Sequence, residues 1–168
     1  MRVAKILILL FVCSKTEAQE SSIISVKLNQ IEKIPCTYNR KAISEKQSYD
    51  KAFNFILALD TFAIPSLIDL LTDTTKSKVK FLGTNEYYKK GDLAFVLINY
   101  IEGVPLASVS ELQWCICCDC GNLPTDFLQY LNINRFGFQK KYKSFYTSQE
   151  RQKMIKQNPK WLKKNRSR

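Results

Sequence analysis

Two stretches decide the fold: Ala63-Ile64-Pro65-Ser66-Leu67-Ile68-Asp69-Leu70-Leu71, and further on Gly91-Asp92-Leu93-Ala94-Phe95-Val96-Leu97-Ile98-Asn99-Tyr100-Ile101. In the first, Ile64, Leu67, Ile68 and Leu71 recur at i, i+3, i+4 and i+7, which places them on one face of an α-helix. Pro65 falls in the first turn, where its missing N–H removes no helical hydrogen bond. In the second, Leu93, Val96, Leu97, Tyr100 and Ile101 repeat the same spacing. Asp92 reads as its N-cap, and Gly103 with Pro105 as its stop. Residues 73–90 between the two are polar, with Lys and Thr, and contain a short alternating piece at Val79 and Phe81.

Working outward, Ser44 and Gln47 have the spacing of a capping box, followed by Tyr49, Ala52, Phe53 and Ile56 on one helical face. Asp60 and Thr61 break that run. On the C-terminal side, Thr125 or Asp126 caps a short helix bearing Phe127, Leu128 and Leu131. Phe138, Tyr142 and Phe145 keep helical spacing, and Thr147 with Glu150 suits a second capping box opening a helix with Met154 and Ile155. Pro159 stops it. Two segments read as extended. Ile24, Val26 and Leu28 alternate with polar residues, as in a short half-buried strand, an extended arm being the alternative. Leu112, Trp114, Ile116 and Cys118 also alternate, ahead of a turn at Gly121, Asn122 and Pro124.

The helix pair within residues 62–102 resembles a HEAT-like hairpin: the Ala63–Leu71 stretch is similar to the first helix of such a repeat, and the stretch from Gly91 to the returning helix. The resemblance spans about 40 residues, near the repeat length of that family, and implies a binding scaffold. One pair rather than a repeated period points to a hairpin, not a solenoid. The expected fold is therefore mainly α: helical hairpins, HEAT-like and non-solenoid, with a short extended Cys-rich insertion. The expected organisation is a signal peptide at 1–18, an N-terminal arm or strand at 19–43, a helical domain at 44–146 with the extended segment 112–120, and a basic C-terminal helix and tail at 147–168.

The first eighteen residues have the layout of a secretory signal. Arg2 and Lys5 precede an apolar run from Ile6 to Cys13, and Thr16 and Ala18 stand at −3 and −1 of a cut between Ala18 and Gln19. The ending Glu17-Ala18-Gln19 is similar to signal-peptide ends of Bacteroidetes. The run is too short to span a bilayer, which needs about 20 apolar residues. Anchoring as a lipoprotein through Cys13 fits poorly, because Leu10-Phe11-Val12 puts no small residue before it. The expectation is an exported chain, periplasmic or secreted, with no transmembrane segment.

Composition narrows the chemistry. The 168 residues include 26 Lys+Arg, 15 Asp+Glu, six Cys and no His, for a net charge of +11. Without His, every Ser-His, Cys-His and His-metal mechanism is removed. The charge is lopsided. Residues 135–168 hold twelve Lys/Arg and one acid, Glu150, while residues 19–134 hold eleven Lys/Arg and thirteen acids.

Three features carry possible chemistry. Cys115-Ile116-Cys117-Cys118-Asp119-Cys120 contains two interleaved C-x-x-C registers. With Cys36, these thiols form structural disulfides after export, hold a soft metal such as Zn or Cu(I), or exchange disulfides. No cofactor is expected outside the metal alternative. Second, Lys140, Lys141, Lys143, Arg151, Lys153, Lys163, Lys164 and Arg166 are candidates for contact with an anionic surface, a lipid headgroup or an acidic polysaccharide rather than nucleic acid. The competing reading makes Phe138, Tyr142 and Phe145 core and their lysines a solvated face. Third, Asp69 and Asp73 lie four residues apart, the only carboxylate pair at helical spacing that invites an acid/base reading. Phosphate-cradling glycine loops, nucleophile elbows and metalloprotease motifs are absent from the sequence. The expectation is a soluble, non-catalytic interaction protein of unknown partner, with a small thiol protein and a basic tail docking on an anionic surface as alternatives.

Overall fold

The computed structural model describes residues 22–34, 50–81, 85–102, 104, 109 and 125–157. Their architecture is mainly α-helical with one small two-stranded sheet. The elements in chain order are α1 (22–28), α2 (Lys51–Ala58), a 3₁₀ turn (Asp60–Ala63), α3 (Ile64–Leu70), β1 (Lys76–Lys80), β2 (Tyr87–Lys89), α4 (Lys90–Ile101), α5 (Thr125–Tyr146) and α6 (Gln149–Gln157).

The segment read as a strand is α1. Ile24, Leu28 and Ile31 are buried while Val26 stands in water. Ile24 and Leu28 are four apart on one helical face, so the helix buries both and leaves Val26 out, where a strand would have buried Val26 as well; Ile31, three residues past the helix end, is buried beside them.

Ser44, Gln47 and Tyr49 lie outside the described residues. Asp50 is the N-cap of α2: its carboxylate accepts from the N–H groups of Ala52 at 2.8 Å and Phe53 at 3.3 Å. Its second oxygen accepts from Glu32 N–H at 2.8 Å, so one side chain starts α2 and ties down the end of the first segment. Ala52, Phe53 and Ile56 are buried as their spacing requires. Asp60 ends the run with φ 53°, the left-handed region that Asp tolerates better than most residues. The chain turns by 101° there before continuing through the 3₁₀ turn into α3. Pro65 sits in the first turn of α3, and Ile64, Leu67, Ile68 and Leu71 all face the core.

Helices α3 and α4 pack against each other. Their connection is a β-ribbon, with β1 antiparallel to β2 and Lys76 opposite Lys89 and Lys80 opposite Tyr87, the register shifting between them. The alternation noticed at Val79 is this ribbon: Ser77 and Val79 point inward and Lys76, Lys78 and Lys80 outward.

Gly91 through Ile98 are buried without interruption, so α4 is the central helix and not one with a single wet face. Asp92 is not its N-cap. It stands at the third position and accepts from Lys89 N–H at 2.7 Å, the return half of a capping box.

The two helices expected on either side of residue 134 are present, joined end to end across a kink and labelled together as α5. α5 runs through 22 residues with one non-helical residue, Asn134 (φ −126°, ψ 34°). Leu128, Leu131, Phe138, Tyr142 and Phe145 are buried along it. Phe138 meets Phe95 edge-on at 5.8 Å and stacks on Tyr142 at 6.2 Å. Burying side chains of this size contributes about 1.5–3 kcal/mol each. Phe138, Tyr142 and Phe145 therefore belong to the core. The cap of α6 is Ser148 rather than Thr147: Ser148 Oγ accepts from Arg151 N–H at 3.2 Å, whereas Thr147 Oγ donates back to the carbonyls of Lys143 and Ser144.

Candidate functional site

Among the described residues the chemistry-bearing side chains gather in two buried centres, both where α5 or α6 meets the α3–α4 pair.

The first centre is Asp92–Arg135. A seven-residue helix such as α3 leaves its last carbonyls without internal partners. α5 supplies donors to them: Gln139 Nε2 donates to Ile68 O at 2.9 Å and Asp69 O at 3.0 Å, and Arg135 Nη1 donates to Leu71 O at 3.0 Å. The guanidinium charge also stands where the helix dipole is negative. Arg135 Nη2 reaches across to the Asp92 carboxylate at 2.6 Å. Each side chain is only 4% exposed, so neither charge has water to fall back on. Gly91 makes this approach possible. A Cβ at that position would collide with the Leu71 carbonyl and the Arg135 guanidinium.

The second centre is Glu102, at the C-terminal end of α4 and 0% exposed. Tyr142 Oη donates to one carboxylate oxygen and Arg151 Nη2 to the other, the latter at 2.7 Å. The Arg151 guanidinium lies 4.0 Å over the Tyr146 ring. Burial, then the neighbouring Glu102 charge, pushes the Tyr142 phenol far above the ordinary tyrosine range. Tyr146 moves the same way, chiefly by burial, with Arg151 opposing. A phenol so held is a fixed donor. It does not serve as a base.

The remaining candidates separate. Lys143 is exposed and pairs with Asp69 at 3.1 Å. Asp73 takes the Thr75 N–H at 2.7 Å and lies 3.9 Å from Lys90. The two carboxylates thus serve different partners rather than one acid/base pair. Arg151, read from the sequence as an anion contact, is turned inward to Glu102. Lys140, Lys141 and Lys153 are exposed on α5 and α6. Cys36, Cys115, Cys117, Cys118, Cys120, Lys163, Lys164, Arg166, Ala18 and Gln19 lie outside the described residues. Among the described residues no group of three or more Cys, Asp or Glu is arranged to hold a metal ion. No single helix among them is long and apolar enough to cross a membrane.

The sequence reading gave no particular role to Glu102 or Arg135, and it noted the alternation at Val79 without the lysines of Lys76-Ser77-Lys78-Val79-Lys80. The ribbon carried a signal, lysine at every second position; the two buried pairs are separated by 43 and 49 residues and carried none. Comparison of the chain with protein-family models, with curated proteins and with solved structures returns no match.

Proposed function

We propose that this chain is an exported, non-catalytic interaction protein, a small helical scaffold around a HEAT-like hairpin that offers an outward face to a protein partner. The observation that carries the reading is on α5. Ile133 and Phe136 flank the kink at Asn134 and are 80% and 74% exposed, whereas Arg135 between them is anchored in the core. Single exposed apolar residues are ordinary on a protein surface, but neighbouring large ones mark contact surfaces. The anchor makes the arrangement specific, because with Arg135 held by Asp92 and Leu71 O the two apolar neighbours have no inward orientation open to them. The ionisable groups of the two centres serve the same end by fixing α5 and α6 to the hairpin. The residue 1–18 pattern supports export.

A photo-crosslinker at exposed Gln129, one turn before Ile133, tests the reading in the native cells. The expected result is a discrete cross-linked protein that disappears in an Ile133→Ser, Phe136→Ser variant of unchanged melting temperature. A cross-link pattern indifferent to those substitutions overturns it. N-terminal sequencing checks the export half: a start at Gln19 supports it, and a retained Met1 in the mature protein refutes it.

A further inference from the structure

We propose that the outward face of the β-ribbon is a docking surface for a bilayer containing anionic phospholipid. Strand β1 presents Lys76, Lys78 and Lys80 on one side, with Ser77 and Val79 turned into the protein. Alternate residues on a strand stand about 6.6 Å apart on the same face, so the three lysines leave β1 on one side, where their flexible stems can reach one plane together. Tyr87, across the ribbon from Lys80, gathers two of them: its ring lies 3.9 Å from Lys76 Nζ and 5.4 Å from Lys80 Nζ. Two acids stand near this row: Glu32 sits 3.8 Å from Lys78 with both side chains well exposed, a pair that water and salt screen, and exposed Glu86 precedes Tyr87. The ribbon is anchored from behind, by Val79 and Tyr88 in the core and by Lys89 Nζ donating to Asn132 on α5.

The chemistry of the row selects its partner. All three cations are lysines, which act as compact point charges on flexible stems and do not provide the planar fork by which Arg grips a single phosphate or carboxylate. Strand geometry offers them together on an outward face. Such an array suits a surface of diffuse negative charge, as acidic headgroups provide. The Tyr87 ring face is already covered by Lys76, so it is not presented for stacking on a nucleic-acid base. This surface is separate from the apolar pair on α5 and does not depend on it.

The test is co-sedimentation of the full chain with vesicles of phosphatidylcholine containing about 30% phosphatidylglycerol, at low salt. Each lysine near such a surface is worth about a fivefold change in partitioning. The Lys76→Gln, Lys78→Gln, Lys80→Gln variant is therefore expected to bind about 100-fold more weakly. A variant with the same change in net charge elsewhere, Lys140→Gln, Lys153→Gln, Lys156→Gln, is expected to stay within a few-fold of the parent. Should the first variant fail to fold, the three single substitutions are measured in its place, each expected to lose about fivefold. Equal losses in the two triple variants, or none in the ribbon variant, overturn the proposal. So does ribbon-dependent binding to a sulfated polysaccharide with no binding to vesicles, which would assign the row to a different partner.

Discussion

Asp92 and Arg135, 43 residues apart in the chain, meet at 2.6 Å in a site closed to water. Each also holds backbone: Asp92 the Lys89 N–H that starts α4, and Arg135 the Leu71 carbonyl that ends α3. One ion pair thus joins three helix segments. Removing one partner of a buried pair leaves an uncompensated charge, at about 3–5 kcal/mol. Arg135→Met is expected to lose stability in that range by urea unfolding. The Asp92→Asn, Arg135→Met double variant should lose clearly less than the sum of the single losses. Strict additivity would show that the two side chains do not depend on each other.

Glycine chemistry gives a sign test. In a helix interior Gly→Ala ordinarily stabilises by about 1 kcal/mol. Gly91→Ala is expected to destabilise instead, because the added methyl meets the Leu71 backbone, which is fixed. At Gly137 the obstacle is only the end of the exposed Asn134 side chain, which can rotate away. Gly137→Ala is expected to be neutral or stabilising by up to about 1 kcal/mol. Thermal melts of the two variants should move apart, and parallel shifts would contradict the close approach of α4 to α3.

Alkaline pH should reveal the second centre. The Tyr142 pKa is raised in the folded state, so above the unfolded value of about 10 the folded chain retains a proton that the unfolded chain has released. Tyr146 shifts the same way. The stabilisation is complete below pH 10 and is lost as pH rises beyond it, at up to about 1.4 kcal/mol per pH unit for Tyr142, while the partly buried Tyr146 adds less. Ultraviolet titration is expected to show the last tyrosine ionising only as the fold is lost. Tyr142→Phe should flatten the alkaline slope and cost about 1.5–3 kcal/mol at neutral pH, the range for a hydrogen bond to a charged group. An unchanged slope would rule out Tyr142 as its source.

The ion pairs of α5 and α6 should differ sharply from each other. Lys143–Asp69 is exposed on both sides, so Lys143→Ala is expected to change stability by less than about 0.5 kcal/mol. Arg151→Gln removes a charged partner from the sealed Glu102 carboxylate and is expected to cost about 3 kcal/mol. Adding salt should leave the Arg151 contribution nearly intact, since screening hardly reaches buried pairs. Equal effects of the two substitutions would contradict the burial of Glu102.

The division between sequence and tertiary structure follows from the range of the forces involved. Local periodicity determined the helical faces at Ala52–Ile56, Ile64–Leu71 and Phe138–Phe145, because a face three and four residues wide is written in neighbouring residues. It also located the turn at Asp60 and the alternation at Val79. It misplaced two caps by one to three residues, reading Asp92 for Lys89 and Thr147 for Ser148, because more than one residue in each run suits a helix start and only the folded geometry selects one. It read α1 as a strand because Ile24, Val26 and Leu28 satisfy period two while Ile24 and Leu28 satisfy a helical face. Burial of Ile24 and Leu28 with Val26 left in water is what the helix satisfies and a strand would not. What the tertiary structure alone decided is the fate of the charges. Lys143 and Arg151 look alike in the sequence, yet one remains in water and the other is drawn in by Glu102, 49 residues earlier. Desolvation makes a buried charge depend wholly on its partner, and packing brings that partner from a distance at which sequence spacing carries no information.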